Sequence, residues 1–154
     1  MLKALAASAV LTTALLVSPH SQAATPSDAL VQASRFDDII SLDPAETYAI
    51  SAFEIVTNAY DKLVAYDIED TSRIVPQLAE SWEVSEDGTT FTFKLREGVS
   101  FHSGTPLTAE DVVFSFSRLA ALDKGPAFLI HDLGIKPDNY EEVLRAVDDL
   151  TFEM

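Results

Sequence analysis

Between residues 82 and 95 the apolar side chains recur with a period of two, and that alternation restricts the fold more than any other feature of the sequence. Trp82 and Val84 alternate with Glu83 and Ser85, while Phe91, Phe93 and Leu95 alternate with Thr90, Thr92, Lys94 and Arg96. Successive side chains of a strand point to opposite faces, so each run gives a strand with one apolar and one wet face. Glu86-Asp87-Gly88 lies between the runs and supplies turn formers, which predicts a β-hairpin. Burying three large side chains on its second strand contributes about 5 to 9 kcal/mol before chain entropy is set against it.

On either side of the hairpin the period changes to that of a helix. From Tyr48 to Leu63 the apolar positions Ala49, Phe53, Val56, Tyr60 and Leu63 step by three and four, which predicts a helix of about four turns. A second helix begins at Thr108, a good N-cap, with Asp111 three residues on and Glu110 adding negative charge to the first turn. Its buried stripe is expected to be Val112, Val113, Phe116, Leu119 and Ala120. It should end by Lys124-Gly125-Pro126, where glycine can take a left-handed cap and proline cannot continue the helix. Ala29 to Ser34 suits a first strand, and Phe36 to Glu46, with Asp37, Asp38, Asp43 and Pro44, suits an irregular loop. Tyr140 to Val147 reads as either a helix or a strand, followed by a turn at Asp148-Asp149 into another strand.

The first twenty-three residues read as a secretory signal. Met1 to Lys3 forms a short positive region, and Ala4 to Val17 is an uncharged apolar run. Ser18-Pro19-His20 breaks it, and small residues at Ser21 and Ala23 suit a signal peptidase. The run falls short of the roughly 18 to 20 residues needed to span a bilayer. A membrane anchor or buried helix is the bland alternative. Cleavage after Ala23 removes one lysine and no acid, so residues 24–154 are one unit more negative than the whole chain at −15.

That charge argues against a nucleic-acid binder, because phosphate contacts need clustered cations and the ten Lys and Arg here are scattered. With 47 % hydrophobic residues the chain can bury a core, and with no cysteine it has neither disulfides nor thiolate chemistry. His102 and His131 have no second ligand at metal spacing, and His102 reads more simply as a loop or core residue. Adjacent acids such as Glu69-Asp70 and Glu110-Asp111 point in different directions and form no dyad. No G-x-S-x-G elbow surrounds a serine, and the five glycines are too dispersed for a phosphate loop. The residues specify no enzyme, cofactor or metal.

Several blocks carry a resemblance. They are Pro76 with Leu78-Ala79-Glu80-Ser81-Trp82, then Val84-Ser85-Glu86-Asp87-Gly88, Phe93-Lys94-Leu95-Arg96-Glu97-Gly98-Val99, Phe101-His102, Gly104-Thr105-Pro106 and Thr108-Ala109-Glu110-Asp111-Val112. Their order and spacing resemble the signature region of the extracytoplasmic solute-binding proteins of ABC transporters, in the peptide/nickel (oligopeptide/dipeptide) family 5. Leu42-Asp43-Pro44, Tyr60-Asp61-Lys62-Leu63-Val64 and Val147-Asp148-Asp149-Leu150-Thr151 extend the likeness from about residue 29 to the last residue. Ser100 and Ser103 depart from it, where a basic and an acidic residue are usual.

The resemblance implies an α/β (mixed α+β) lobe of a two-lobed, Venus-flytrap-like periplasmic binding protein, in which lobes close around a ligand by hinge motion. It implies a substrate-binding component of an importer, binding a peptide or a related small solute in the periplasm. The ligand is passed to an ABC permease in the inner membrane, without an enzymatic step or a cofactor, and the protein is a monomer when full length. A ligand-sensing receptor module is the alternative use of the same lobe. Family members are several times longer, so residues 24–154 are expected to be an N-terminal part of the first lobe, with an incomplete core. The segment after the first strand faces the ligand cleft in relatives, which makes Thr47, Tyr48 and Ser51 the candidate ligand-binding residues. Tyr48 could equally begin the helix and pack.

Overall fold

A computed structural model describes residues 25–33 and 35–154. The predicted signal at 1–23 lies outside them. The chain divides into two compact units, residues 1–33 and 34–154. In the first, the Ala29 N–H donates to the Pro26 carbonyl at 3.0 Å. Residues 29–33 are not a strand, contrary to expectation. A strand exists only through a ladder, and these residues join none among the described residues.

The second unit opens with the expected irregular segment. Asp43 organises it: its carbonyl accepts the N–H groups of Glu46 and Thr47, both at 3.0 Å, and its Oδ1 accepts the Ala45 N–H at 2.9 Å. Helix α1 spans Ile50–Ala59, shorter than Tyr48 to Leu63. Its buried residues are Ala52 and Val56, one turn apart. Phe53 and Tyr60, expected inside, are 52 % and 54 % exposed. The helix stops because Tyr60 takes an extended conformation that leads into β1, Val64–Tyr66.

That strand pairs antiparallel with β2, Ile74–Pro76, a hairpin the alternation rule missed. Three-residue strands are too short to show a period. The local signal was the turn, where Asp67 Oδ1 accepts the Glu69 N–H at 2.9 Å and the Asp67 N–H reaches the Arg73 carbonyl at 3.0 Å.

The predicted hairpin is present as β3, Ala79–Val84, and β4, Phe91–Leu95, with Trp82 opposite Phe93 and Val84 opposite Phe91. Gly88 turns the chain at φ +73°, a conformation open to glycine at little cost. The ambiguous C-terminal stretch is both things in succession: a single helical turn α4, Tyr140–Val143, and then strand β5, Arg145–Asp148. Strand β6, Thr151–Glu153, follows and completes a four-stranded antiparallel sheet in the order β3-β4-β6-β5.

Helix α2, Ala109–Leu122, packs on this sheet. Asp111 Oδ2 accepts both the N–H and the Oγ1–H of Thr108, at 2.8 and 2.9 Å, closing the start of the helix as expected. The buried stripe also matches: Ala109, Val112 and Ala120 are buried, with Val113, Phe116 and Leu119 partly so. The end differs. Asp123, not Gly125, takes the left-handed position at φ +47°. Aspartate tolerates that region better than most side chains. Gly125 instead opens a 3-10 turn, Gly125–Ala127, which leads into the short helix α3, Phe128–His131.

Phe152 and Leu95 are the largest fully buried side chains, and Phe93, Ile130, Ile135 and Leu144 close the core around them. Large apolar residues also remain outside it: Ile40 and Ile68 are almost fully exposed, and Tyr66 and Phe114 largely so.

Candidate functional site

The three candidate residues fall on one short stretch, the end of the irregular loop and the first turn of α1. Thr47 points inward and is buried, its N–H held by the Asp43 carbonyl. Tyr48 is 58 % exposed, with its ring edge-on to Phe128 at a centroid distance of 5.1 Å and an interplanar angle of 85°. Ser51 donates from Oγ to the Arg35 carbonyl at 2.8 Å. It lines a shallow cavity of about 610 Å³ with Arg35, Asp37, Asp38, Ile50 and Glu54. Arg35 is turned onto Asp37 by an ion pair in this wall.

The loop is fastened to the far end of α2 and the turn beyond it. Arg118 grips the Asp43 carboxylate with two parallel contacts, Nη1 to Oδ1 at 2.7 Å and Nη2 to Oδ2 at 2.5 Å. Lys124 meets Glu46 Oε1 at 2.5 Å. At Gly125 the loop comes so close that an added Cβ would lie 3.4 Å from Tyr48 Cβ and 3.6 Å from the Glu46 carbonyl. Hydrogen bonding by Arg118, assisted by the Ala45 N–H, holds the Asp43 carboxyl below its ordinary range. Lys124 does the same for Glu46. Sequence reasoning missed Arg118, Lys124 and Phe128, since about 75 residues separate these partners from the loop and nothing local marks the pairing.

A second cleft, about 710 Å³, lies between the end of α1, the start of β1, the loop at residues 99–102 and one side of α2. Leu63, Phe93, Phe101, Val112 and Phe116 make it mostly apolar, and Lys62 and His102 also line it. His102 therefore sits on an exposed loop, one of the two positions expected for it. That loop is closed by Ser103 Oγ donating to Thr105 Oγ1 at 3.1 Å, and Ser100 bridges to Pro106. Both departures from the family pattern are thus surface positions with local roles.

The part of the chain that carries the candidate residues is thus an antiparallel sheet with one helix across it and a loop fastened to that helix. The family described as bacterial extracellular solute-binding proteins, family 5 Middle, matches residues 73–154, and the chain belongs to that family. It is 37 % identical over 112 residues to the probable D,D-dipeptide-binding periplasmic protein DdpA of Escherichia coli K12, a match covering 71 % of this chain and 22 % of that protein. Among solved structures, it is similar to the substrate-binding domain of an oligopeptide ABC transporter from Bacillus anthracis. There the TM-score is 0.64 at 30 % identity, covering 73 % of this chain and 23 % of that one. A third likeness is to Haemophilus influenzae OppA in complex with the peptide RPPGFSPFR, with a TM-score of 0.59 at 32 % identity over 73 % of this chain and 24 % of that one. The matches thus span less than a quarter of the length of these proteins, and the fold of the chain is a mixed α/β part of their two-lobed architecture.

Proposed function

We propose that the chain contributes the ligand-facing N-terminal part of a substrate-binding component of an ABC importer. The protein captures peptides in the periplasm after removal of residues 1–23 and passes them to an inner-membrane permease. It performs no chemistry on its ligand. Residues 24–154 form part of a first lobe, and the protein works as a monomer. Thr47, Tyr48 and Ser51 form the ligand-side segment, Tyr48 offering a half-exposed ring and Ser51 a hydroxyl beside an open cavity, with the buried Thr47 backing them.

The observation that carries this reading is agreement of family and fold: the family match covers half the chain, and the structural likeness includes a protein described in complex with a nonapeptide. Peptide ligands suit a site built from hydroxyls, backbone groups and water, because such a site reads the peptide main chain and tolerates varied side chains. The test is thermal unfolding of the protein expressed from its native coding frame through the natural stop codon, with and without trialanine. A saturable rise in Tm with trialanine and none with free alanine is expected. No shift with dipeptides, trialanine or longer peptides would sink the reading.

A further inference from the structure

Three contacts converge on the six residues from Asp43 to Tyr48, and all three come from one distant stretch of chain. They are the forked pair of Arg118 with Asp43, the Lys124–Glu46 pair at 2.5 Å, and the edge-on contact of Phe128 with Tyr48. Between them lies Gly125, where an added Cβ would stand in van der Waals contact with the loop, 3.4 Å from Tyr48 Cβ and 3.6 Å from the Glu46 carbonyl. Inside the loop, the Asp43 carbonyl and carboxylate hold the N–H groups of Ala45, Glu46 and Thr47. The guanidinium therefore grips the same side chain that sets the loop's internal turn.

We propose that Arg118 is the positioning residue of the ligand-facing segment: through Asp43 it fixes where Thr47, Tyr48 and Ser51 stand, and so sets peptide affinity without touching the peptide. This rests on the functional reading above. A planar fork holding both carboxylate oxygens defines orientation as well as distance, which a lysine at 118 could not do. Lys124 and Phe128 supply the second and third points needed to stop the loop pivoting about the first. A single half-exposed ion pair shifts a local equilibrium only severalfold. The loop is accordingly expected to loosen when one contact is lost, while the sheet stays intact.

The experiment is amide hydrogen exchange combined with trialanine titration on the natural gene product and its R118A, R118K, K124A and D43N variants. Exchange at Ala45, Glu46 and Thr47 is expected to quicken by about fivefold in R118A and less in R118K and K124A, with Phe93 and Phe152 amides unchanged. D43N keeps an acceptor for the Ala45 N–H but loses the ion pair, so adding it to R118A should quicken exchange little further. The trialanine Kd is expected to rise in R118A in step with the exchange. Wild-type exchange rates at the three amides in R118A would overturn the proposal. So would faster exchange with an unaltered Kd; if Tyr48→Ala then weakens binding, the functional reading survives and only the positioning role falls. An unaltered Kd in Tyr48→Ala as well would remove this segment from the ligand side, and the proposal with it, while peptide binding itself stands; no binding of dipeptides, trialanine or longer peptides by the wild-type protein would remove the functional reading and the proposal together.

Discussion

Phe116 of α2 lies against Phe152 of β6 with ring centroids 5.4 Å apart and planes inclined by 20°. On its other side Phe152 meets Phe93 of β4 at 6.0 Å and 26°, so one fully buried ring joins the helix to two strands. The alternation of residues 91–95 and the three-and-four spacing of residues 112–120 meet at this ring. Neither pattern is satisfied without the other, because each leaves an apolar face in water until the two elements pack.

Phe152→Ala is therefore expected to cost about 3 to 5 kcal/mol, the usual range for emptying a core aromatic site. Val84→Ala, at the half-exposed end of β3, is expected to cost less than about 1 kcal/mol. Urea unfolding followed through Trp82 fluorescence measures both.

At the start of α2 a single carboxylate, that of Asp111, serves both polar groups of Thr108. Thr108→Ala should cost about 1 kcal/mol, as for other N-caps. Because the two residues satisfy each other, Asp111→Ala in the same chain should add less than it costs alone. The double-mutant cycle reads this from four denaturation midpoints, those of the wild type, the two single variants and the double variant.

Gly88 has space for a Cβ, with no atom within 4 Å of it, yet its φ is +73°. The cost of Gly88→Ala is thus purely that of the backbone conformation, about 1 to 2 kcal/mol. Gly88→Asn should cost less, since asparagine visits this region more readily. Equal losses in the two variants would show that crowding rather than φ decides.

The Asp43 carboxyl is held below its ordinary range by Arg118, so the ion pair contributes stability above the unfolded carboxylate's pKa, near about 3.9, and loses it as pH falls through the lower folded value. The difference in stability between the wild-type chain and D43N is therefore expected to be constant near neutral pH and to shrink below about pH 4. Urea midpoints at a series of pH values measure it, and a difference that grows in acid would contradict the arrangement.

The elements legible in the residues were those whose periodicity outlasts their ends. The β3–β4 hairpin, the core face of α2 and its N-cap could all be read because each is a local pattern of four residues or more. The boundaries of α1 could not, because its apolar spacing continues through Tyr60 to Leu63 while the backbone there is already extended toward β1. Nor could the cap of α2 at Asp123: Gly125 was the better local choice, but the helix ends two residues earlier and Gly125 opens the 3-10 turn packed beside the loop. The strand expected at 29–34 failed because a stretch of suitable composition is not a strand until it joins a ladder.

The candidate site shows the same division. Thr47, Tyr48 and Ser51 were reached by likeness to a family, and their neighbourhood in sequence was never in doubt. What holds them, Arg118 on Asp43, Lys124 on Glu46 and Phe128 on Tyr48, has no trace in the spacing of the chain. By itself the sequence determined the alternating sheet face, the capped amphipathic helix, the acidic charge and the solute-binding family, all properties of residue order. Tertiary structure alone decided which side of α1 is buried, which residue ends α2 and which distant cations clamp the loop. Those outcomes depend on the competition of remote groups for the same few contacts, and that competition is settled only when the chain has packed.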